Sequence, residues 1–158
     1  MSTIAVGVDG SPGSLGALRW AVAEARHHGS VVRAVHAWQL PYHQGYVGHL
    51  ALGHLREPLI EAARQTLHAA LADPCIETAG VEIMPVVEEG SAARVLIAAG
   101  ADAGLLVVGS RGYGGFRGLL LGSVSQQCAQ GAPCPLVIVP GERRGADAAD
   151  GGADGDGE

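Results

Sequence analysis

The chain has 158 residues, of which 47% are apolar, and it carries a formal net charge of −6. This length and apolar content predict one globular domain with a core of its own and exclude a chain that is disordered throughout. Because its charge balance is acidic, we expect a protein that binds neither nucleic acid nor a membrane surface.

Cysteine and lysine usage narrows the chemistry further. The cysteines Cys75, Cys128 and Cys134 form an odd set without C-x-x-C spacing, which favours reduced thiols over a disulfide framework or a zinc site. The chain contains no lysine, which excludes lysine-dependent chemistry. Its first apolar run is broken at Asp9, and no window is long and apolar enough to span a membrane. We therefore expect a cytoplasmic protein.

Strand and helix patterns alternate along the first part of the chain. Thr3 to Val8 is a β-prone apolar run, which predicts a strand buried on both faces. Ser11 follows as a helix N-cap with Pro12 in the first helical position, and the helical pattern ends at Gly29. Val31 to Trp38 predicts the second strand.

The alternation continues after a long loop at residues 39–54. The later predicted elements are a helix with Pro58 in its first turn, a strand from Val81 to Val87, a helix capped by Ser91, a strand from Leu105 to Val108, a helix from Ser123 to Gln130 and a strand from Leu136 to Val139. This order predicts a parallel sheet with helices on both faces, and a ligand at the carboxyl ends of its strands. Residues 141–158 are acidic, consist mainly of Gly, Ala and Asp and have no large apolar side chain to bury, which predicts a disordered tail after a domain of residues 1–140.

A glycine-spaced loop joins the fourth strand to the next helix. Gly109 lets the chain turn sharply as it leaves the sheet, Gly112 admits a positive φ or a closely approaching ligand, and Gly122 opens the helix. The helix start offers unpaired N–H groups and the positive end of its dipole, which attract an anion. Ser123 is placed to donate to that anion or to cap the helix, and Ser125 is close enough to assist. The loop therefore predicts a phosphate site.

Other motifs are missing from the sequence. A P-loop requires a lysine, and the dinucleotide fingerprint fails because Arg117 stands where its third glycine belongs. The nucleophile elbow G-x-S-x-G and the zinc helix H-E-x-x-H are also absent. The loop is therefore a phosphate cradle of another type.

The spacing Gly109-x2-Gly112-x9-Gly122-Ser123 resembles in full the signature of ATP-binding universal stress proteins. The resemblance extends over residues 3–140 and includes the segments 8–11, 89–90, 105–112 and 132–139. Gly104 stands where that family often has an acidic residue, and the loop at 41–54 does not follow the family.

The resemblance implies a Rossmann-like α/β fold, an open five-stranded parallel sheet in the order 3-2-1-4-5. It implies ATP as ligand with Mg²⁺ carried by the nucleotide, and a homodimer that pairs the strand at 136–139 with its copy. The implied nucleotide-binding residues are Gly7, Val8, Asp9, Ala37, Val108, Gly109, Arg111, Gly112, Gly122, Ser123, Val124 and Ser125. The resemblance places adenine near Gly7, Val8 and Ala37, and it places Asp9 against the nucleotide or its metal. The phosphates would lie on the glycine loop and the start of the following helix.

Two functions remain open at this stage. The first is a nucleotide-responsive regulator that a partner protein reads, since no residue supplies evident catalytic chemistry. The second is a slow ATPase or an adenylate-type transferase that uses Asp9 and Arg111; a family member without nucleotide is a third reading.

For several residues a purely structural role is an alternative to a functional one. Asp9 could cap the first helix, Trp38 could belong to the core rather than stack on adenine, and Ser123 and Ser125 could be helix caps rather than sites of autophosphorylation. His43, His49 and His54 are expected to be solvated loop residues rather than metal ligands.

Overall fold

The computed structural model describes residues 2–41, 53–113 and 120–141. The strands are β1 (Thr3–Gly7), β2 (Val31–Trp38), β3 (Ile83–Glu89), β4 (Leu105–Gly109) and β5 (Leu136–Val139). The helices are α1 (Pro12–His28), α2 (Arg56–Leu71), α3 (Ala92–Gly100) and α4 (Ser123–Gly131), with a short 3-10 helix at Gly53–Leu55 before α2. Strands and helices therefore alternate as the sequence predicts.

The five strands form one sheet in the order β3-β2-β1-β4-β5. Every pairing is parallel, with Val6 opposite Ala34 on one side and Val107 on the other. The chain moves outward from β1 to β3 and then crosses back to β4, which lies on the other side of β1. The predicted Rossmann-like order is confirmed, and β1 and β4 flank the point where the strand order reverses.

Local signals in the sequence set the ends of α1. Ser11 is the N-cap, and its hydroxyl accepts the N–H of Ser14 at 3.3 Å, while Pro12 occupies the first turn. Gly29 ends the helix with a φ of 62°, a conformation that glycine adopts without steric cost. The cap and the terminator that the sequence predicts are both confirmed.

Two apolar layers enclose the sheet. On one face α1 and α2 pack against it through residues such as Leu18, Val22 and Leu67. On the other face α3 and α4 pack through Leu96 and Cys128. Apolar side chains therefore cover both faces of the central strands, which explains why the sequences of β1 and β4 are continuous apolar runs.

The structure corrects the predicted bounds of β3. β3 begins at Ile83 and runs through Glu89, two residues later than predicted at each end, because it pairs with the whole of β2 up to Trp38. Glu89 is exposed at the sheet edge, where an acidic residue costs little. α2 begins at Arg56, so that Pro58 lies inside its first turn as expected.

The predicted tail, apart from Gly141, lies outside the described residues, as do most of the loop at 39–54 and Arg117. Within the part of the chain that the structure describes, no helix combines the length and the apolar content needed to cross a membrane.

Candidate functional site

A cavity of about 550 Å³ opens at the carboxyl ends of β1, β2 and β4. It lies at the reversal of strand order, where open parallel sheets bind their ligands. Its volume falls within the ~300–1,000 Å³ that is usual for small-molecule sites.

All twelve residues that the sequence analysis assigns to the nucleotide line this cavity. Eight further residues line it that the sequence analysis did not select: Ser11, Ser14, Val35, His36, Ala92, Leu96, Tyr113 and Leu121. Most of them belong to helices or to β2, and only the tertiary structure brings them to the carboxyl edge of β1.

The cavity reaches the first turn of α4. Gly122 is the N-cap residue in extended conformation, and no side chain caps the helix. The Gly122 N–H donates to the Ser110 carbonyl at 2.6 Å, and the Gly122 carbonyl accepts the N–H of Gln126 at 3.0 Å. Because Gly122 rather than Ser123 is the cap, the predicted capping role of Ser123 is wrong, and the first-turn amides are left for another acceptor.

Ser125 has a role that differs from the predicted one. It is 2% exposed, and its hydroxyl lies 2.9 Å from both the Ser110 and the Gly122 carbonyl oxygens. Since the hydroxyl has a single proton, these carbonyls compete with any anion for it. The side chain therefore ties α4 to the loop, and only the backbone N–H of Ser125 is left for a ligand. Ser123, by contrast, is exposed.

Ser110 makes hydrogen bonds to several elements of this region, and the sequence did not identify it as a site residue. It is 8% exposed, its N–H donates to Val139 at 2.8 Å, and its carbonyl accepts from Gly122 and Ser125. Its hydroxyl accepts the N–H of Gly141 at 3.1 Å. Ser110 therefore joins the glycine loop to the ends of β5 and α4. No local pattern distinguishes this serine from an ordinary loop residue.

The glycines of the loop are needed for space rather than for a positive φ. Neither Gly109 nor Gly112 has a φ in the left-handed region, so of the two expectations for Gly112 the positive φ is excluded and the close approach of a ligand stays a prediction. A Cβ at Gly112 would lie 2.8 Å from Asp9 Oδ2, and one at Gly109 would lie 2.6 Å from the carbonyl oxygen of Gly13. Real Cβ atoms are essentially never this close to another atom, so the backbone of Gly13 excludes a side chain at Gly109, whereas a side chain at Gly112 would require the Asp9 carboxylate to move.

The two carboxylate oxygens of Asp9 have different surroundings. Oδ1 accepts the N–H of Ser11 at 2.9 Å, while Oδ2 faces Gly112. The N-cap of α1 is Ser11, so the reading of Asp9 as the cap is wrong. The exposed carboxylate remains able to contact a ligand or its metal.

The other end of the cavity is apolar and lies beside β2 and α3. Val35, Ala37, Ala92 and Leu96 line it, and a Cβ at Gly7 would lie 2.8 Å from Leu96 Cδ1. Leu96 therefore fills the space beside the end of β1.

His36 supports the same edge of the cavity. Its Nδ1 donates to the Val8 carbonyl at 2.6 Å and so joins β2 to the end of β1. The site thus has an apolar end at β2 and α3 and a polar end at the start of α4.

The structure decides several alternatives left by the sequence. Trp38 is 8% exposed and does not line the cavity, which confirms the core reading, and the guanidinium of Arg56 lies 5.3 Å from its ring centroid. Among the described residues, no group of three or more potential metal ligands occurs. His54 is exposed, while His43 and His49 lie outside the described residues.

The three cysteines are all free. Cys75 is exposed, Cys134 is half-buried, and burial raises the pKa of the Cys128 thiol above its ordinary value. Cys128 is therefore a protonated core residue at neutral pH.

Comparison with known proteins agrees with this geometry. The model of the universal stress protein family matches residues 1–140. A universal stress protein of Mycolicibacterium smegmatis is 36% identical over 137 residues, which cover 86% of this chain and 45% of that protein. The chain spans about half the length of the curated relatives it matches.

Solved structures of universal stress proteins share this fold. Universal stress protein UspA from Lactobacillus plantarum aligns with a TM-score of 0.75 and 18% identity, over 87% of this chain and 97% of that one. A universal stress protein solved in complex with cAMP aligns with a TM-score of 0.57 and 25% identity, over 88% and 98%. An Arabidopsis thaliana family protein with AMP bound aligns with a TM-score of 0.54 and 18% identity, over 94% and 97%.

Proposed function

The chain belongs to the universal stress protein family, and on that premise we propose that it binds ATP in the cavity at the ends of β1 and β4 and acts as a nucleotide-responsive regulator of stress adaptation. One observation carries the proposal. The twelve residues assigned to a nucleotide from spacing and resemblance, although scattered from Gly7 to Ser125, line a single cavity of about 550 Å³. A volume of this size accommodates a nucleotide.

The start of α4 is suited to hold the phosphates. The amides of its first turn lie at the positive end of the helix dipole and have no side-chain cap. Ser123 and Arg111, which are both exposed, line the same cavity and can add a hydroxyl and a positive charge. One helix dipole stabilises an anion by only ~0.3–1 kcal/mol, so binding of a polyphosphate depends on several of these groups together.

The apolar end is suited to hold the base. A purine at this end would contact the aliphatic side chains of Ala37 and Leu96, which both line the cavity. The solved family members with cAMP and with AMP bound are consistent with an adenine nucleotide as the class of ligand.

Mg²⁺ fits this site as an ion that the nucleotide brings with it. Asp9 supplies one carboxylate oxygen, Oδ2, that faces the cavity. Magnesium in nucleotide sites is commonly held by phosphate oxygens, water and one or two carboxylates, so a single protein ligand suffices. When bound, the ion would neutralise part of the phosphate charge.

The two edges of the sheet differ in a way that supports a homodimer through β5. Val32 donates to the Glu82 carbonyl, and Gly90 donates to the Trp38 carbonyl. Even-numbered residues of β3 therefore face β2, and Pro85, which has no N–H, faces outward. A proline at this position blocks the addition of another strand.

β5 has no such protection between Leu136 and Val139. Leu106 donates to the Pro135 carbonyl and Ser110 to the Val139 carbonyl, so Leu136 and Ile138 direct their backbone groups outward. An apolar edge strand with free backbone groups is suited to pair with a second copy of itself. Ser110 joins the glycine loop to the end of β5, so a change in the loop on nucleotide binding would alter this edge. A partner protein that binds the edge would then respond to the nucleotide.

The regulator reading is preferred to the enzyme reading because the cavity offers little catalytic chemistry. Among the described residues that line the cavity, Asp9 is the only one with a carboxylate, and one of its oxygens accepts a hydrogen bond from Ser11. Steady phosphate release by the wild type, abolished in Asp9→Ala while ATP binding remains, would overturn the regulator reading in favour of slow hydrolysis.

The binding proposal is tested on the full chain. Mass spectrometry of the ligand that copurifies with the protein is expected to detect an adenine nucleotide. Calorimetric titration is expected to show binding of ATP that is stronger with Mg²⁺ than without it. Failure to bind ATP, ADP and AMP at ligand concentrations up to about 1 mM would contradict the proposal.

A further inference from the structure

The segment that follows β4 lies directly on the turn between β1 and α1. Arg111 contacts Gly13 through its carbonyl oxygen, Gly112 faces Asp9, and the hydroxyl of Tyr113 lies 3.3 Å from the place that a Cβ of Gly10 would occupy. The turn therefore supports the first part of the glycine loop, residues 109–113.

The closest part of this support is a contact between two backbones. A Cβ at Gly109 would lie 2.6 Å from the carbonyl oxygen of Gly13 and 3.2 Å from the N of Ser14. A Cβ at Gly13 would in turn overlap the carbonyl oxygen of Arg111. We call this meeting of Gly13 with Gly109 and Arg111 the glycine contact. Neither glycine has a positive φ, so the glycine contact requires the absence of a side chain and nothing else.

The glycine contact is linked to the start of α4. Arg111 follows Ser110, whose carbonyl accepts both the N–H of Gly122 and the hydroxyl of Ser125. A displacement of the loop at residues 110 and 111 would therefore be passed on to the first turn of α4. The apolar end of the cavity, at Ala37 and Leu96, is on other elements and is not linked in this way.

We propose that Gly13 is a positioning residue for the phosphates of the bound nucleotide. It fixes how closely the glycine loop lies on α1 and thereby where the amides of α4 are held. This inference rests on the proposed function. It adds a residue in the first turn of α1 that lies outside the cavity lining and outside the glycine signature.

The sharpest test compares two glycines of the same helix. Gly13→Ala places a methyl group against the Arg111 carbonyl, whereas the nearest atom to a Cβ at Gly16 is Val139 Cγ1 at 4.0 Å. Gly16→Ala is therefore the matched control, since both changes replace glycine by a better helix former. Each variant of the full chain is titrated with ATP and with adenosine.

We expect Gly13→Ala to weaken ATP binding by about tenfold or more and to leave adenosine binding within about twofold of the wild type. Gly16→Ala should change neither ligand by more than about twofold. If Gly13 had only a structural role, Gly13→Ala would lower the affinities for ATP and adenosine by the same factor. The test is therefore the ratio of these two affinities. Gly109→Ala, which enters the same contact from the loop side, should repeat the selective loss.

The possible failures are distinguishable. If the wild type binds neither ligand, the proposed function fails and this inference fails with it. If the wild type binds ATP and Gly13→Ala binds it equally well, or loses ATP and adenosine equally, only the positioning role is overturned. A Gly13→Ala chain without a cooperative unfolding transition would assign the glycine contact to the fold as a whole and likewise overturn the positioning role.

Discussion

Replacing Gly122 by valine should remove most of the nucleotide affinity and leave the domain folded. A Cβ at this position would lie 3.4 Å from Arg111 Cα and 3.5 Å from the Ser110 carbonyl oxygen, which is ordinary contact, so alanine fits. Valine adds two methyl groups roughly 1.5 Å further out, and every staggered rotamer fills two of the three available directions. The loop and the start of α4 would have to move apart.

The structure allows the size of both effects to be worked out. Overpacking at one site costs about 1–3 kcal/mol, which is less than the ~5–15 kcal/mol that stabilises a typical domain. A hydrogen bond to a charged phosphate contributes about 1.5–3 kcal/mol, so the loss of one amide contact at Ser123 or Val124 would reduce the affinity for ATP roughly 10- to 150-fold. Binding is therefore affected more visibly than folding.

The assay is calorimetric titration with ATP, combined with a thermal unfolding curve for each variant. Gly122→Ala is the control, because neither glycine nor alanine offers a side-chain cap, and it should change stability by about 1 kcal/mol or less. A Gly122→Val protein that unfolds cooperatively and binds ATP as tightly as the wild type would refute the assignment of the phosphates to the start of α4.

Three further predictions concern other parts of the fold. Ser125→Ala should lower the free energy of unfolding by about 1 kcal/mol, because the Ser125 hydroxyl joins α4 to the loop; unchanged stability in urea unfolding would contradict this. Ile138→Pro should convert the proposed homodimer to a monomer in analytical ultracentrifugation, since it removes an outward-facing backbone N–H of β5 and breaks no bond to β4, and an unchanged mass would exclude this edge as the interface. Burial raises the pKa of the Cys128 thiol, so this thiol ionises at a lower pH in the unfolded chain than in the folded one. The free energy of unfolding should therefore fall as the pH rises above about 8.5, the ordinary pKa of a cysteine. In Cys128→Ala the free energy of unfolding should fall less steeply over the same pH range. An equal slope in the variant and the wild type would contradict the raised pKa of Cys128.

Much of the fold follows from signals that are local in the sequence. The cap at Ser11, the terminator at Gly29 and the buried runs of β1 and β4 act over a few residues, so their structures follow from their own side chains. The end of β3 was predicted less well because it depends on the length of β2, which is remote in sequence.

The candidate site divides in the same way. The glycine spacing and the order of strands and helices placed the phosphate loop, and the resemblance to the family that this spacing carries supplied the rest of the twelve residues, all of which line the cavity. Only the tertiary structure decided what those residues do: it moved the cap from Ser123 to Gly122 and engaged the Ser125 hydroxyl with two carbonyls. It also brought Gly13 against Gly109, two residues that are distant in sequence. Such contacts depend on how α1 and α4 pack on the sheet, and packing between distant segments leaves no periodic pattern in the chain.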